Sequence, residues 1–95
     1  MKVRYSRRAL KQIDDAFNHI AAANPTAADG FLRCIEGFTA LLAQFPSMGR
    51  LADEDNIRVM GLGGYPYLVF YQVLADKDEL RILRVRHMAR QRRPL

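Results

Sequence analysis

Apolar residues recur every three or four positions in the first half of the chain and alternate, or cluster in short runs, in the second. Val3 and Tyr5 alternate with Lys2 and Arg4, which predicts a short strand with one apolar face. Ser6 stands where an N-cap is needed, its hydroxyl able to accept from the unpaired amides of a first helical turn. From Arg7 to about Ala23, the residues Leu10, Ile13, Phe17 and Ile20 form one stripe of an amphipathic helix. Asn24 and Pro25 break it and start another, because proline fits a first turn where its missing N–H would be unpaired anyway.

The second helix is expected from Pro25 to about Gln44. Phe31, Ile35, Phe38, Leu42 and Phe45 mark its inner face, with Cys34 and Leu41 widening the stripe. Gly30 and Gly37 interrupt that helix on one face, each costing about 1 kcal/mol against alanine, and a close backbone approach is the return expected there. Phe45-Pro46-Ser47-Met48-Gly49 ends the helix, and the acidic stretch to Asn56 reads as loop. Ile57–Leu62, Tyr67–Leu74 and Leu80–His87 read as strands, rich in branched and aromatic residues. Gly61, Gly63, Gly64 and Pro66 punctuate the first connection, and residues 75–78 make the second hairpin turn. The expected fold is α+β, in the order β-α-α-β-β-β, with a helical hairpin on one face of a small, mainly antiparallel sheet. A single domain over residues 1–95 is expected, with residues 88–95 as a basic tail.

Charge changes this picture more than composition does. Fifteen Lys and Arg against ten Asp and Glu give a net charge of +5. Residues 1–11 hold Lys2, Arg4, Arg7, Arg8 and Lys11 without an acid, and residues 81–93 hold Arg81, Arg84, Arg86, Arg90, Arg92 and Arg93, again without one. Such segregation points to an anionic partner, nucleic acid or an acidic protein segment. The lone Cys34 and the two histidines offer no metal-ligand spacing, and one cysteine fits a reducing compartment. No apolar run approaches the roughly 20 residues of a membrane span, and charges stand where an export signal needs an apolar run. A cytoplasmic protein with no membrane partner is expected.

SRRA leading into the first helix, FPSMGR closing the second, the arginine-led strand IRVMGL, the strand YLVFYQV and the closing LRILRVRH occur together in this order. In this combination the chain resembles the RelE/ParE superfamily of toxins from bacterial toxin–antitoxin operons, most closely the ParE branch. The resemblance implies a toxin neutralised by a ParD-like antitoxin, with no metal or organic cofactor. In the ParE branch it implies inhibition of DNA gyrase by binding, with no catalytic residues. In the RelE branch it implies cleavage of mRNA on the ribosome, and Arg58, Arg81, Arg84 and His87 would be the site that remains. Two departures weigh against cleavage. Leu68 stands where RelE-like ribonucleases place a middle-strand arginine, and Met88 follows the final histidine where a tyrosine is common. A degenerate member that binds only its antitoxin is a third reading.

His87 could act as acid or base, or close a strand through a hydrogen bond. Glu54 could act as a base or belong to a solvated loop. Tyr67 and Tyr71 face either the helices or the open side of the sheet. Arg84, Arg86, His87, Arg90, Arg92 and Arg93 are the candidates for target contact. Arg84 and Arg86 share a strand face about 7 Å apart. Leu32, Leu41, Arg58, Tyr71 and Arg81 are the candidates for antitoxin contact.

Overall fold

Ser6 caps the first helix as its position suggests. Its hydroxyl accepts from the Ala9 amide at 2.9 Å and donates to the Leu83 carbonyl at 2.8 Å, which also ties the helix start to a distant strand. The computed structural model describes residues 1–52 and 55–91. They form β1 (Lys2–Tyr5), α1 (Arg7–Ala23), α2 (Pro25–Gln44), β2 (Arg50–Leu51), β3 (Ile57–Gly61), β4 (Tyr67–Leu74) and β5 (Glu79–His87). Asn24 caps α2 through its side-chain oxygen, which accepts from Ala27 at 3.1 Å. The sheet order is β1-β5-β4-β3-β2; β1 runs parallel to β5 and the other pairs are antiparallel. The α+β order and the mainly antiparallel sheet are as expected.

The helical hairpin covers one face of this sheet. Ile13, Phe31, Ile35 and Leu42 meet Tyr67, Val69, Tyr71, Leu80, Ile82 and Val85 there. Along α1 the buried line is Ala9, Ile13 and Ala16, with Phe17 and Ile20 partly buried, whereas Leu10, expected on the inner stripe, is 54% exposed. One position of difference turns a helix by about 100°. The alanines win the inner line because α1 lies close against β5, where the Gln12 side-chain oxygen accepts from the Val85 amide at 2.7 Å. Phe45 is likewise corrected: it is 57% exposed because, as the C-cap of α2, it has already left the helical path.

A Cβ on Gly30 would come within 2.5 Å of the Tyr65 hydroxyl, which donates to the Ala27 carbonyl at 2.9 Å. A close approach at this glycine is therefore real, but it is made by the Tyr65 side chain and not by another element's backbone. At Gly37 a Cβ would meet nothing within 4 Å, so that half of the expectation fails.

The stretch after α2, read as loop, contains β2, two residues that extend the sheet by pairing Arg50 with Val59 and Leu51 with Arg58. Two residues are too few to show a period in the sequence. The turn between β4 and β5 falls at residues 75–78 as expected, closed by Asp78 in the left-handed region (φ 50°), which aspartate tolerates.

Candidate functional site on the open sheet face

The face of the sheet away from the helices is set by an irregularity in β5. Tyr71 pairs with Ile82, but the next residue of β4, Phe70, pairs with Arg84, so β5 carries one extra residue, Leu83. A β-bulge of this kind shifts the alternation of side chains by one position. Leu80 and Ile82 point to the helices before it and Val85 after it. Arg81, Arg84 and Arg86 therefore reach the same open face, although strict alternation would separate Arg81 from the other two. The Ser6 hydroxyl bond to the Leu83 carbonyl and the Gln12 bond to the Val85 amide hold the bulge from the α1 side.

Register then defines rows across the open face. Arg4, Arg81, Gln72 and Ile57 form one; Arg84, Phe70, Val59 and Arg50 the next; Arg86 with Leu68 and Gly61 the third. An apolar strip along β3 and β4 is thus bordered by arginines from β1 and β5 on one side and by Arg50 on the other. Phe70 and Val59 are only 7% and 4% exposed although neither α1 nor α2 covers this face. The Arg84 guanidinium lies over the Phe70 ring, 4.3 Å from its centroid, a cation–π contact that covers the ring and fixes the arginine's direction.

Glu79 is the carboxylate that this face encloses. Its Oε2 accepts from Arg81 Nε at 3.1 Å and Nη2 at 2.7 Å, and its Oε1 lies 3.4 Å from Arg4 Nε. The hydrogen bond from Arg81 holds the Glu79 carboxyl below its ordinary value of 4.5, against the opposing effect of desolvation; Arg81, Arg4 and Lys77 add attraction. Arg81 and Arg4 thus share a counter-charge, while Arg84 and Arg86 lie farther along the strand.

The other candidates are dispersed. Arg58 pairs with Tyr71 on the helix side, and its Nη1 donates to the carbonyls of Gly49 at 2.6 Å and Ser47 at 3.3 Å. Tyr71 is fully buried; its hydroxyl donates to the Pro46 carbonyl and accepts from the Gly49 amide, both at 2.8 Å. Tyr71 is accordingly an interior residue that, with Arg58, clamps the turn after α2, and its place among the antitoxin contacts is withdrawn for lack of any exposed surface. Tyr67 also faces the helices. Opposite it, His87 packs edge-on at 5.1 Å between ring centroids, and His87 Nδ1 accepts from the Ala89 amide at 3.1 Å. Arg58, Arg81, Arg84 and His87 therefore do not converge: Arg81 and Arg84 lie on one side of the sheet, Arg58 and His87 on the other. Glu54, Arg92, Arg93 and the Arg90 side chain lie outside the described residues.

Residues 3–92 match the family model described as the ParE toxin of the type II toxin–antitoxin system, parDE. The chain belongs to the ParE toxin family. Within this family likeness, it is 29% identical over 82 residues to the protein Y4kP of Sinorhizobium fredii, covering 86% of this chain and 85% of that one. A solved chain of the chromosomal ParDE system from P. aeruginosa shares the fold with a TM-score of 0.67 at 17% identity, covering 92% of this chain and 95% of the other. A chain of the intact E. coli RelBE toxin–antitoxin complex gives 0.66 at 16% identity, over 90% and 94%. The ParE-family chain thus has the fold common to the ParE and RelE neighbours.

In this ParE-family chain the hairpin keeps Leu10, Leu32 and Leu41 substantially exposed, at 54%, 39% and 44%. Among the described residues no group of three metal-ligating side chains comes together, and no helix is long and apolar enough to cross a membrane. Sequence reasoning missed Arg4, Arg50, Phe70 and Glu79 as members of the open face. For Arg4 the signal was present in the alternation of β1; for the others, register was required.

Proposed function

We propose that this ParE-family toxin acts in the cytoplasm by binding DNA gyrase and that it turns over no substrate. The observation carrying this reading is the division of its chemistry between two sides of the sheet. RNA cleavage without a metal needs an acid, a base and phosphate stabilisation around one phosphodiester. Here Arg81 and Arg84 stand on the open face, whereas His87 packs on Tyr67 behind it and Arg58 is engaged by the carbonyls of residues 47 and 49. Leu68, beside Arg86 on the open face, provides no charge for a phosphate. What the face offers instead is a directed guanidinium array around an apolar strip, suited to a negative protein or protein–DNA surface. Arg84 and Arg86 are its centre, and Arg90, Arg92 and Arg93 of the basic tail are proposed as further contacts to the same target.

A ParD-like antitoxin is the proposed neutralising partner. An amphipathic helix of that protein would cover Leu32 and Leu41, and Leu10 adds a third exposed leucine on the hairpin. The test of the target is a pair of reactions with purified toxin: gyrase supercoiling and DNA cleavage, beside mRNA cleavage on programmed ribosomes. Lost supercoiling or accumulated cleaved DNA with intact message is expected. Specific message cleavage with normal gyrase would replace this reading with the ribonuclease one.

A further inference from the structure

β5 outruns its neighbour. β1 pairs with it only from Glu79 to Ile82, so residues 83–87 have no strand on that side among the described residues. The Val85 amide is met by Gln12 Oε1 instead, at 2.7 Å. Between this stretch and α1 lies an open groove of about 480 Å³, whose helix side runs from Arg8 to His19. Eleven helical steps of about 1.5 Å make it roughly 16 Å long. That is the length of an extended segment of about five residues at about 3.3 Å each.

Its walls present donors. Gln12 has its amide oxygen engaged by Val85, which leaves the Nε2 hydrogens for a ligand. His87 Nδ1 already accepts from Ala89, so the neutral ring carries its proton on Nε2. Arg8 and His19 add exposed cationic or donor groups from α1. Asp15 is the carboxylate lining the groove, and Lys11 one turn earlier already contacts it at 3.4 Å. A donor-lined channel of this length fits a chain with several carboxylates better than a single compact anion, which would fill a small part of it.

We propose that this groove seats an extended acidic peptide segment, its backbone along residues 83–87 of β5 and its carboxylates on Arg8, His19 and the Gln12 amide. The assignment of that segment to the neutralising antitoxin rests on the toxin reading above; the acidic-peptide site itself does not. The probe is the peptide Ac-Glu-Val-Glu-Val-Glu-NH2 added to the full chain, read by NMR of the two imidazoles, the only two in the sequence. Both His19 and His87 resonances should move and saturate. The Gln-for-Glu peptide should bind at least tenfold more weakly, and so should the Glu peptide to the double variant Arg8→Glu, His19→Glu, whose exposed positions leave the core untouched. Histidines that do not respond, or inorganic phosphate that binds as tightly as the peptide, would overturn the proposal. In cells the same double variant should still arrest growth yet escape its antitoxin. Arrest that remains fully neutralised removes the antitoxin from this groove. A wild-type chain that never arrests growth instead rejects the toxin reading, and the peptide titration then decides the groove alone.

Discussion

The two faces of one sheet are built from the same strands by opposite means. Behind β4 and β5, Tyr67, Val69, Tyr71, Leu80, Ile82 and Val85 pack under two helices, and the Tyr71 hydroxyl is satisfied by backbone groups of the turn after α2. In front, Phe70 is shielded by the Arg84 guanidinium, and Glu79 is shared between Arg81 and Arg4. The buried face stabilises by removing apolar area from water, about 25 cal/mol per Å². The open face gains less from its charges: Glu79 is enclosed, but its partners Arg4 and Arg81 remain 60% and 40% exposed, and ion pairs open to water contribute about 0–1 kcal/mol. It follows that substitutions behind the sheet should unfold the protein, while those in front should spare the fold and remove its action.

Phe31 is the strongest test behind the sheet. It is completely buried and meets the rings of Tyr65 and Tyr67 at 5.5 and 5.4 Å between centroids. Phe31→Ala should lower unfolding free energy by about 3–5 kcal/mol in urea titration. Tyr71→Phe should lower it by about 1–3 kcal/mol, because the Gly49 amide and Pro46 carbonyl both lose their partner. In front of the sheet, Arg84→Ala with Arg86→Ala should lower stability by about 1–2 kcal/mol, through the lost cover of the Phe70 ring, while weakening target binding at least tenfold. An equal loss of stability in that double variant would erase the distinction between the faces.

The smallest expected effect concerns Glu79. Its folded pKa is depressed, first by the Arg81 hydrogen bond, so its contribution is present above the ordinary value of 4.5 and is lost as pH falls below that through the folded value. Glu79→Gln should flatten the acid limb of the stability curve below pH 4.5 and leave the neutral region little changed. Thermal melts across that range would measure it, and an unaltered acid limb would mean that the pairing with Arg81 adds nothing.

Much of the fold was legible because its signals are local. Ser6, Asn24 and Pro25 act within one turn, and the strands of the second half announce themselves by composition. The rotation of α1 was not, since Leu10 and Ala9 differ by one position and only the close seat against β5 chooses alanine. The open face was legible in its charge but not in its membership. That Arg81 shares a side with Arg84 and Arg86 depends on the bulge at Leu83, which is held by Ser6 and Gln12 from far along the chain. Arg58 shows the same limit: its residue type suits a phosphate, yet its register beside Tyr71 directs it to backbone carbonyls.

The most direct test of the central claim is gyrase supercoiling measured with the wild-type chain and with the Arg84→Ala, Arg86→Ala double variant at equal folded concentration. The account predicts inhibition by the wild type and at least a tenfold higher concentration for the same effect from the variant. Normal supercoiling with both proteins, or equal inhibition by both, would contradict it.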